Sequence, residues 1–173
     1  MIRPATPADA PALAALKLAT FRTTFLEEFA IPYPPADLAV FERESYGLAK
    51  VEAELADPAH RTWVVDGEDG RLDAYVHLGP CKLPHPELVA GEPELYQLYL
   101  RREVQGRGLG KALLDLALGH LGNARRVWIG VWSGNERAQH VYGARGFVPV
   151  GTYEFPVGTW RDAEVIMRRE AAR

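Results

Sequence analysis

The chain has 173 residues, 47% hydrophobic and 25% charged, with a formal net charge of −3. That composition suits one globular domain with a full core over residues 1–173, and its charge gives no general attraction to nucleic acid or to a membrane surface. The one cysteine, Cys81, rules out an internal disulfide, and no apolar run is long enough to span a bilayer.

The amino terminus, Met1-Ile2-Arg3-Pro4, lacks a secretory apolar stretch, so a cytoplasmic protein is expected. Ile2 to Pro4 reads as a short first strand. Thr6-Pro7-Ala8-Asp9 then has the form of a helix start, with a capping threonine, proline at the first helical position and an acidic residue three places on. Leu13, Leu16 and Thr20 share one face of that helix. A second helical stretch, Thr20 to Ala30, carries Phe21, Phe25 and Phe29 at a spacing of four, and Pro32, Pro34 and Pro35 end it. Asp37 to Leu55 reads as one further helix, closed by Asp57-Pro58.

Thr62 to Asp66 and Leu72 to Leu78 alternate as strands around the turn Gly67-Glu68-Asp69-Gly70. Prolines at 80, 84, 86 and 93 make the next segment a loop. Glu94 to Arg101 is strand-like and Gly108 to Leu121 helix-like. Arg125 to Trp132, rich in Val, Ile and Trp, reads as a buried strand. A helix over 135–145 follows, with Gly146 where a helix-ending glycine belongs, then two strands at about 147–154 and 160–168. Strands and helices alternate with hairpins at both ends, which predicts an α/β (α+β) domain with a mixed sheet.

Between the strand ending at Arg101 and the helix beginning at Gly108 lies Gln105-Gly106-Arg107-Gly108-Leu109-Gly110-Lys111. Three glycines bare the backbone N–H groups, a helix amino end adds free donors and partial positive charge, and Arg107 and Lys111 add full charges. That set binds phosphate or pyrophosphate. A Walker loop is excluded, since Gln105 stands where its first glycine belongs and Ala112 where its hydroxyl belongs. A dinucleotide fingerprint is excluded because Lys111 occupies the third glycine. Downstream stand Asn135, Ala138, Tyr142 and Gly146-Phe147.

Gln-x-x-Gly-x-Gly between strand and helix, followed by Asn-x-x-Ala-x-x-x-Tyr-x-x-x-Gly-Phe, resembles the GNAT superfamily of N-acetyltransferases over residues 94–168. Gly130-Val131-Trp132-x-x-Asn135, Val150-Gly151-Thr152 and Asp162-x-x-x-Ile166-Met167 resemble, more loosely, its bacterial polyamine-acetyltransferase-like branch. The resemblance implies about seven strands, mostly antiparallel and splayed between the fourth and fifth, flanked by helices. Acetyl-CoA is the implied co-substrate, bound in the split, with no metal. It implies direct acetyl transfer to an amine. Gln105, Gly106, Arg107, Gly108, Leu109, Gly110 and Lys111 would then hold the pyrophosphate. Leu98, Tyr99 and Leu100 would pair with pantetheine through the backbone, and Asn135 would contact that arm or cap the helix. Tyr142 would protonate the leaving thiolate; an ordinary phenol pKa near 10 suits that task.

The base is open. Many relatives carry glutamate where Tyr96 stands here, and a phenol is a poor base at neutral pH. Glu94, two residues earlier on the same strand face, could act through a water, and His77, His85 and His140 titrate in the right range. The first half is acidic (Glu27, Glu28, Asp37, Glu42, Glu44, Glu52, Glu54, Asp57), as are Glu87, Glu92 and Glu94. This is either a site for a cationic amine or peptide acceptor or a solvated surface. The partners expected are a small-molecule amine or a peptide and no nucleic acid or membrane; a homodimer is compatible. The rival from another class is a non-catalytic acyl-CoA-binding module.

Overall fold

The computed structural model describes residues 1–122 and 124–171. The chain runs β1 (Ile2–Pro4), α1 (Ala10–Phe21), a π-helical turn (Arg22–Glu28), α2 (Pro35–Tyr46), α3 (Leu48–Ala56), β2 (Arg61–Asp66), β3 (Leu72–Pro80), β4 (Pro93–Leu100), α4 (Leu109–Leu121), β5 (Arg126–Trp132), α5 (Glu136–Gly143), β6 (Val148–Val157) and β7 (Trp160–Glu170). The seven strands form one sheet in the order β1-β2-β3-β4-β5-β7-β6. All neighbours are antiparallel except β4 and β5.

The β4–β5 contact makes the site. The two parallel strands share the single register pair Glu94↔Trp128 and then diverge. From Gln97 to Leu100, β4 pairs with β3 only, so its other edge faces an open split with free backbone donors and acceptors. A bulge lies in the β3–β4 ladder, where His77 pairs with Gln97 but Leu78 with Leu95, leaving Tyr96 as the extra residue.

One face of the sheet carries α4 and α5. Leu113, Leu114, Ala117 and Leu118 of α4 pack with Val76, Leu95, Ile129 and Phe147 in the largest core. On the other face α1 and α3 bury Leu13, Leu16 and Val51 against Val64, Leu72 and Tyr75. Helices on both faces explain why β3 is buried almost continuously from Ala74 to Gly79 rather than on alternate residues.

Two expectations need correction. The helix predicted over Asp37–Leu55 is two, broken at Gly47, whose backbone is extended (φ −63°, ψ 152°) and closes against the Arg43 carbonyl where a Cβ would clash. The stretch from Thr20 to Ala30 is not a new helix. It continues α1 as a π turn, with Phe29 N–H donating to the Thr24 carbonyl five residues back. The wider turn lets Phe21 and Phe25 stack at 5.2 Å while Phe29 reaches Trp132 of β5 at 4.5 Å, spanning the mouth of the split. At the amino terminus the Thr6–Asp9 pair forms as predicted, with Thr6 N–H donating to Asp9 Oδ2 at 2.7 Å. Arg3 holds the same carboxylate, well below its ordinary pKa.

Candidate functional site

Two clefts of about 640 Å³ each open on either side of the β4–β5 split. Five residues border both: Leu98, Tyr99, Asn135, Ala138 and Tyr142. The split is therefore a passage with one chamber on each side.

The first chamber holds the glycine loop. Gln105, Gly106, Gly108, Gly110 and Lys111 line it with Leu98, Tyr99 and Leu100. Gly106 and Gly108 have φ of +76° and +80°, a region that side chains disfavour, and no protein atom lies within 4 Å of a Cβ built on either. Gly110 is in α4, where a Cβ would make ordinary contact with Leu100 at 3.4 Å. The first N–H groups of α4 are free toward the groove. Lys111 and Arg107 are exposed, and neither has an ion-pair partner among the described residues. Like charge at a helix amino end is unfavourable until an anion arrives. Bare backbone, open strand edge and unpaired cation together fit an extended molecule ending in a pyrophosphate. Two loop members stand apart: Arg107 and Leu109 are not on the groove wall, and Leu109 packs on the main core.

Asn135 does what its position before a helix predicts. Its Oδ1 accepts from Ala138 N–H at 3.0 Å as the α5 N-cap, a contact of about 1 kcal/mol, while the residue borders both chambers. Two turns along α5, Tyr142 is buried at 7% exposure, edge-on to Phe147 at 5.9 Å. Burial alone pushes its phenol above the ordinary value.

The second chamber is aromatic and acidic. Phe25, Tyr33, Phe41, Tyr46 and Trp132 supply apolar wall, Glu94 and Asp162 supply buried carboxylates, and Glu164 a partly buried one. Asp162 accepts from Tyr33 Oη at 2.6 Å and from Trp160 Nε1 at 2.8 Å. Glu164 accepts from Tyr153 Oη at 2.8 Å. Glu94 accepts from the Lys82 backbone N–H at 2.9 Å, and burial raises its pKa. Among the described residues no cation forms an ion pair with any of the three. Buried carboxylates are normally paired, so two buried and one partly buried without an ion-pair partner in a single cleft give it a negative character that suits a cation. Of the acidic residues of the first half and of Glu87, Glu92 and Glu94, those that reach this chamber are Glu44, Glu54 and Glu94. Glu28 borders the glycine-loop groove, and Asp37, Glu42 and Glu87 hold surface partners Thr159, Arg22 and Arg168.

The other candidates sort by position. Tyr96 is committed elsewhere: its hydroxyl donates to the Pro80 carbonyl, its ring sits against His60, His77 and the Lys82 ammonium, and its pKa is raised by burial. His85 bridges the Glu87 N–H and the Val150 carbonyl, away from both chambers. His140 is exposed on the glycine-loop side. His77 borders the acidic chamber but is fully buried between Lys17 Nζ at 3.3 Å and His60 Nδ1 at 2.9 Å. Burial and the lysine hold it neutral, well below its ordinary pKa. The Cys81 thiol is half-buried and pushed up to about 12, which makes it unreactive at neutral pH. Among the described residues no group of three or more His, Cys, Asp or Glu is arranged to hold a metal ion, and no helix is long and apolar enough to cross a membrane.

Sequence reasoning missed Asp162, Glu164, Tyr153, Tyr33 and Gly130. A signal existed: Gly130 opens the Gly-Val-Trp run and Asp162 the late Asp-x-x-x-Ile-Met run, with Glu164 inside it.

The chain is similar to known proteins in sequence and in fold. Residues 19–147 match the acetyltransferase (GNAT) family. An uncharacterized N-acetyltransferase of Mycobacterium tuberculosis is 31% identical over 167 residues, 94% of this chain and 97% of the relative. Another from Lactobacillus delbrueckii subsp. lactis is 29% identical over 154 residues, 88% of each chain. In fold the chain is similar to the PaiA N-acetyltransferase of Thermoplasma acidophilum, solved in complex with coenzyme A. The TM-score is 0.74 at 20% identity, over 98% of both chains.

Proposed function

This chain belongs to the GNAT family of acetyltransferases and is an acetyl-CoA-dependent N-acetyltransferase. From that premise we propose that it acetylates a cationic small-molecule amine, polyamine-like in charge, within one catalytic domain over residues 1–173. The observation that carries the reading is the meeting of two unlike chambers at Leu98, Tyr99, Asn135, Ala138 and Tyr142. One chamber suits a nucleotide pyrophosphate with an extended arm, and the other suits an ammonium. The thioester carbonyl then belongs at the passage, where reactants held in line gain most from proximity.

In this reading Gln105, Gly106, Gly108, Gly110 and Lys111 receive the pyrophosphate, with Arg107 adding charge from the rim and Leu109 anchoring the loop to the core. The free β4 edge at Leu98, Tyr99 and Leu100 hydrogen-bonds the pantetheine arm, and a β4 N–H polarises the carbonyl as negative charge develops on it. Asn135 sets the start of α5 and with it the position of Tyr142. Tyr142 keeps its proton at neutral pH, because burial disfavours the phenolate, and gives it up when a thiolate departs beside it. Glu94 meets the incoming ammonium from β4, together with Asp162 and Glu164.

The test is thiol release from acetyl-CoA against a panel of diamines, polyamines, aminoglycosides and peptide amines. Turnover with the di- and polycations, and a loss of about 10²-fold in kcat in Tyr142→Phe with acetyl-CoA affinity kept, is the expected result. Silence across the panel favours a binding module, and full turnover by Tyr142→Phe removes that residue as the acid.

A further inference from the structure

The carboxylate of Glu164 occupies a seat built by three strands and one loop. Glu164 on β7 pairs in register with Trp132 of β5 and with Tyr153 of β6. Its Oε2 lies over Gly130 of β5, where a Cβ would come within 2.8 Å of it and within 3.1 Å of the Tyr153 hydroxyl and of Leu83. Only a residue without a side chain lets the carboxylate lie across β5 toward the split. Tyr153 donates to the same oxygen at 2.8 Å. The seat opens on the acidic chamber, and Glu94 lies across from it on β4.

The groups that act on Glu164 are few. Tyr153 is the one donor. Asp162 from its own strand and Glu94 from β4 are both negative, and Leu83 and Gly130 bring no charge. Burial and those two carboxylates raise it to about 7 against the opposing hydrogen bond from Tyr153. Glu94 is differently held, with a backbone N–H on its oxygen and the Lys82 charge nearby, both of which favour its ionised form.

Resting on the acetyltransferase reading, we propose that Glu164 is the general base of the reaction, positioned by Tyr153 and by the absence of a side chain at Gly130, while Glu94 holds the substrate's positive charge. The ammonium gives one N–H proton to Glu164. The freed lone pair forms the N–C bond, the C–S bond breaks, and its electron pair leaves on sulfur, which takes the phenolic proton of Tyr142. The second nitrogen proton is lost as the amide forms and restores Tyr142 through solvent, and the proton on Glu164 passes to bulk water. The balance is one ammonium and one thioester in, one amide, one thiol and one proton out.

The experiment compares pH–rate profiles of wild type, Glu164→Gln, Tyr153→Phe and Glu94→Gln, using the best amine of the panel. Glu164→Gln should lose about 10²-fold in kcat/KM at pH 7.5 and lose the acid limb, with acetyl-CoA affinity unchanged by calorimetry. Tyr153→Phe should lower kcat/KM several-fold at pH 7.5 and move that limb to higher pH, because the bond that orients the carboxylate and favours its ionised form is gone; a purely structural tyrosine would not move the limb. Glu94→Gln should raise KM and keep the limb, moved to lower pH because a neighbouring negative charge is gone; loss of the limb would make Glu94 the base instead. Glu164→Gln retaining both its rate and its limb would overturn the assignment. Wild-type silence with every amine sinks the parent reading instead, so the two failures are distinguishable.

Discussion

Replacing Glu164 with glutamine should make the protein more stable and less active, and the stability gain should depend on pH. The free carboxyl ionises near its ordinary 4.5, and the folded one near about 7. A group whose folded pKa is raised binds its proton more tightly in the native state. Its cost is absent below pH 4.5, grows between 4.5 and 7, and is complete above 7. At 1.36 kcal/mol per tenfold change in proton affinity, the full cost is roughly 3 kcal/mol, reduced to about 2–3 by residual solvent access to the cleft. Glutamine keeps an oxygen for the Tyr153 hydroxyl and does not titrate. The variant should therefore gain about 2–3 kcal/mol over wild type at pH 8 and less than about 1 kcal/mol at pH 5. For a domain of this size that is on the order of 5–10 °C in melting temperature. Urea unfolding of both proteins at pH 5 and pH 8 reads it directly. A gain of the same size at both pH values, or none at pH 8, would refute the reasoning, because the carboxylate would not then be held ionised at a cost. Greater stability with slower turnover is the expected trade when a base is kept in a cleft as an unpaired carboxylate.

Two more outcomes rest on the glycine loop and on the buried ion pair. Gly108→Glu places a negative charge at the amino end of α4 and forces φ +80° on a side chain; it should abolish acetyl-CoA binding by calorimetry, and undiminished affinity would remove the pyrophosphate assignment. Lys17→Met strips the buried Lys17–Glu54 pair (2.6 Å) and the donor to His77, and should cost about 3 kcal/mol in urea unfolding. Adding Glu54→Gln should recover part of that loss, and simple additivity of the two would show the pair is uncoupled.

Much of the fold was legible in the residues because its signals are local. Alternation around Gly67–Gly70, the Val and Ile run before Trp132 and the proline breaks each act over a few neighbours, and strands and helices appear where they predict. The misreadings are also local in origin. Gly47 inside an otherwise helical run looks like a tolerated glycine until the chain turns there against Arg43. A π turn has no marker distinct from an α-helix when the phenylalanines recur every four residues.

The cofactor side of the site was readable for the same reason. Backbone N–H groups and positive φ come from closely spaced glycines at a helix start, so the expectation of an anion site at Gly106, Gly108 and Gly110 needs no knowledge of packing, and Gly106 and Gly108 do take positive φ. Asn135 and Tyr142 lie within one helical segment of each other, and their spacing survives folding. The acceptor side was not readable. Glu164, Tyr153, Gly130 and Glu94 come from four strands, and only sheet order and register bring a β7 carboxylate over a β5 glycine. Whether a carboxylate has a cationic partner is equally a property of the packed chain, and it separates Glu42 or Glu87, satisfied at the surface, from Glu94 and Glu164, which line the cleft without one. By itself the sequence determined the family, the glycine loop at a helix start and the spacing of Asn135 and Tyr142, since those rest on short-range geometry. The acceptor chamber and its unpaired carboxylates were decided by tertiary structure alone, because burial and long-range pairing set both the charge that is missing and the pKa that results.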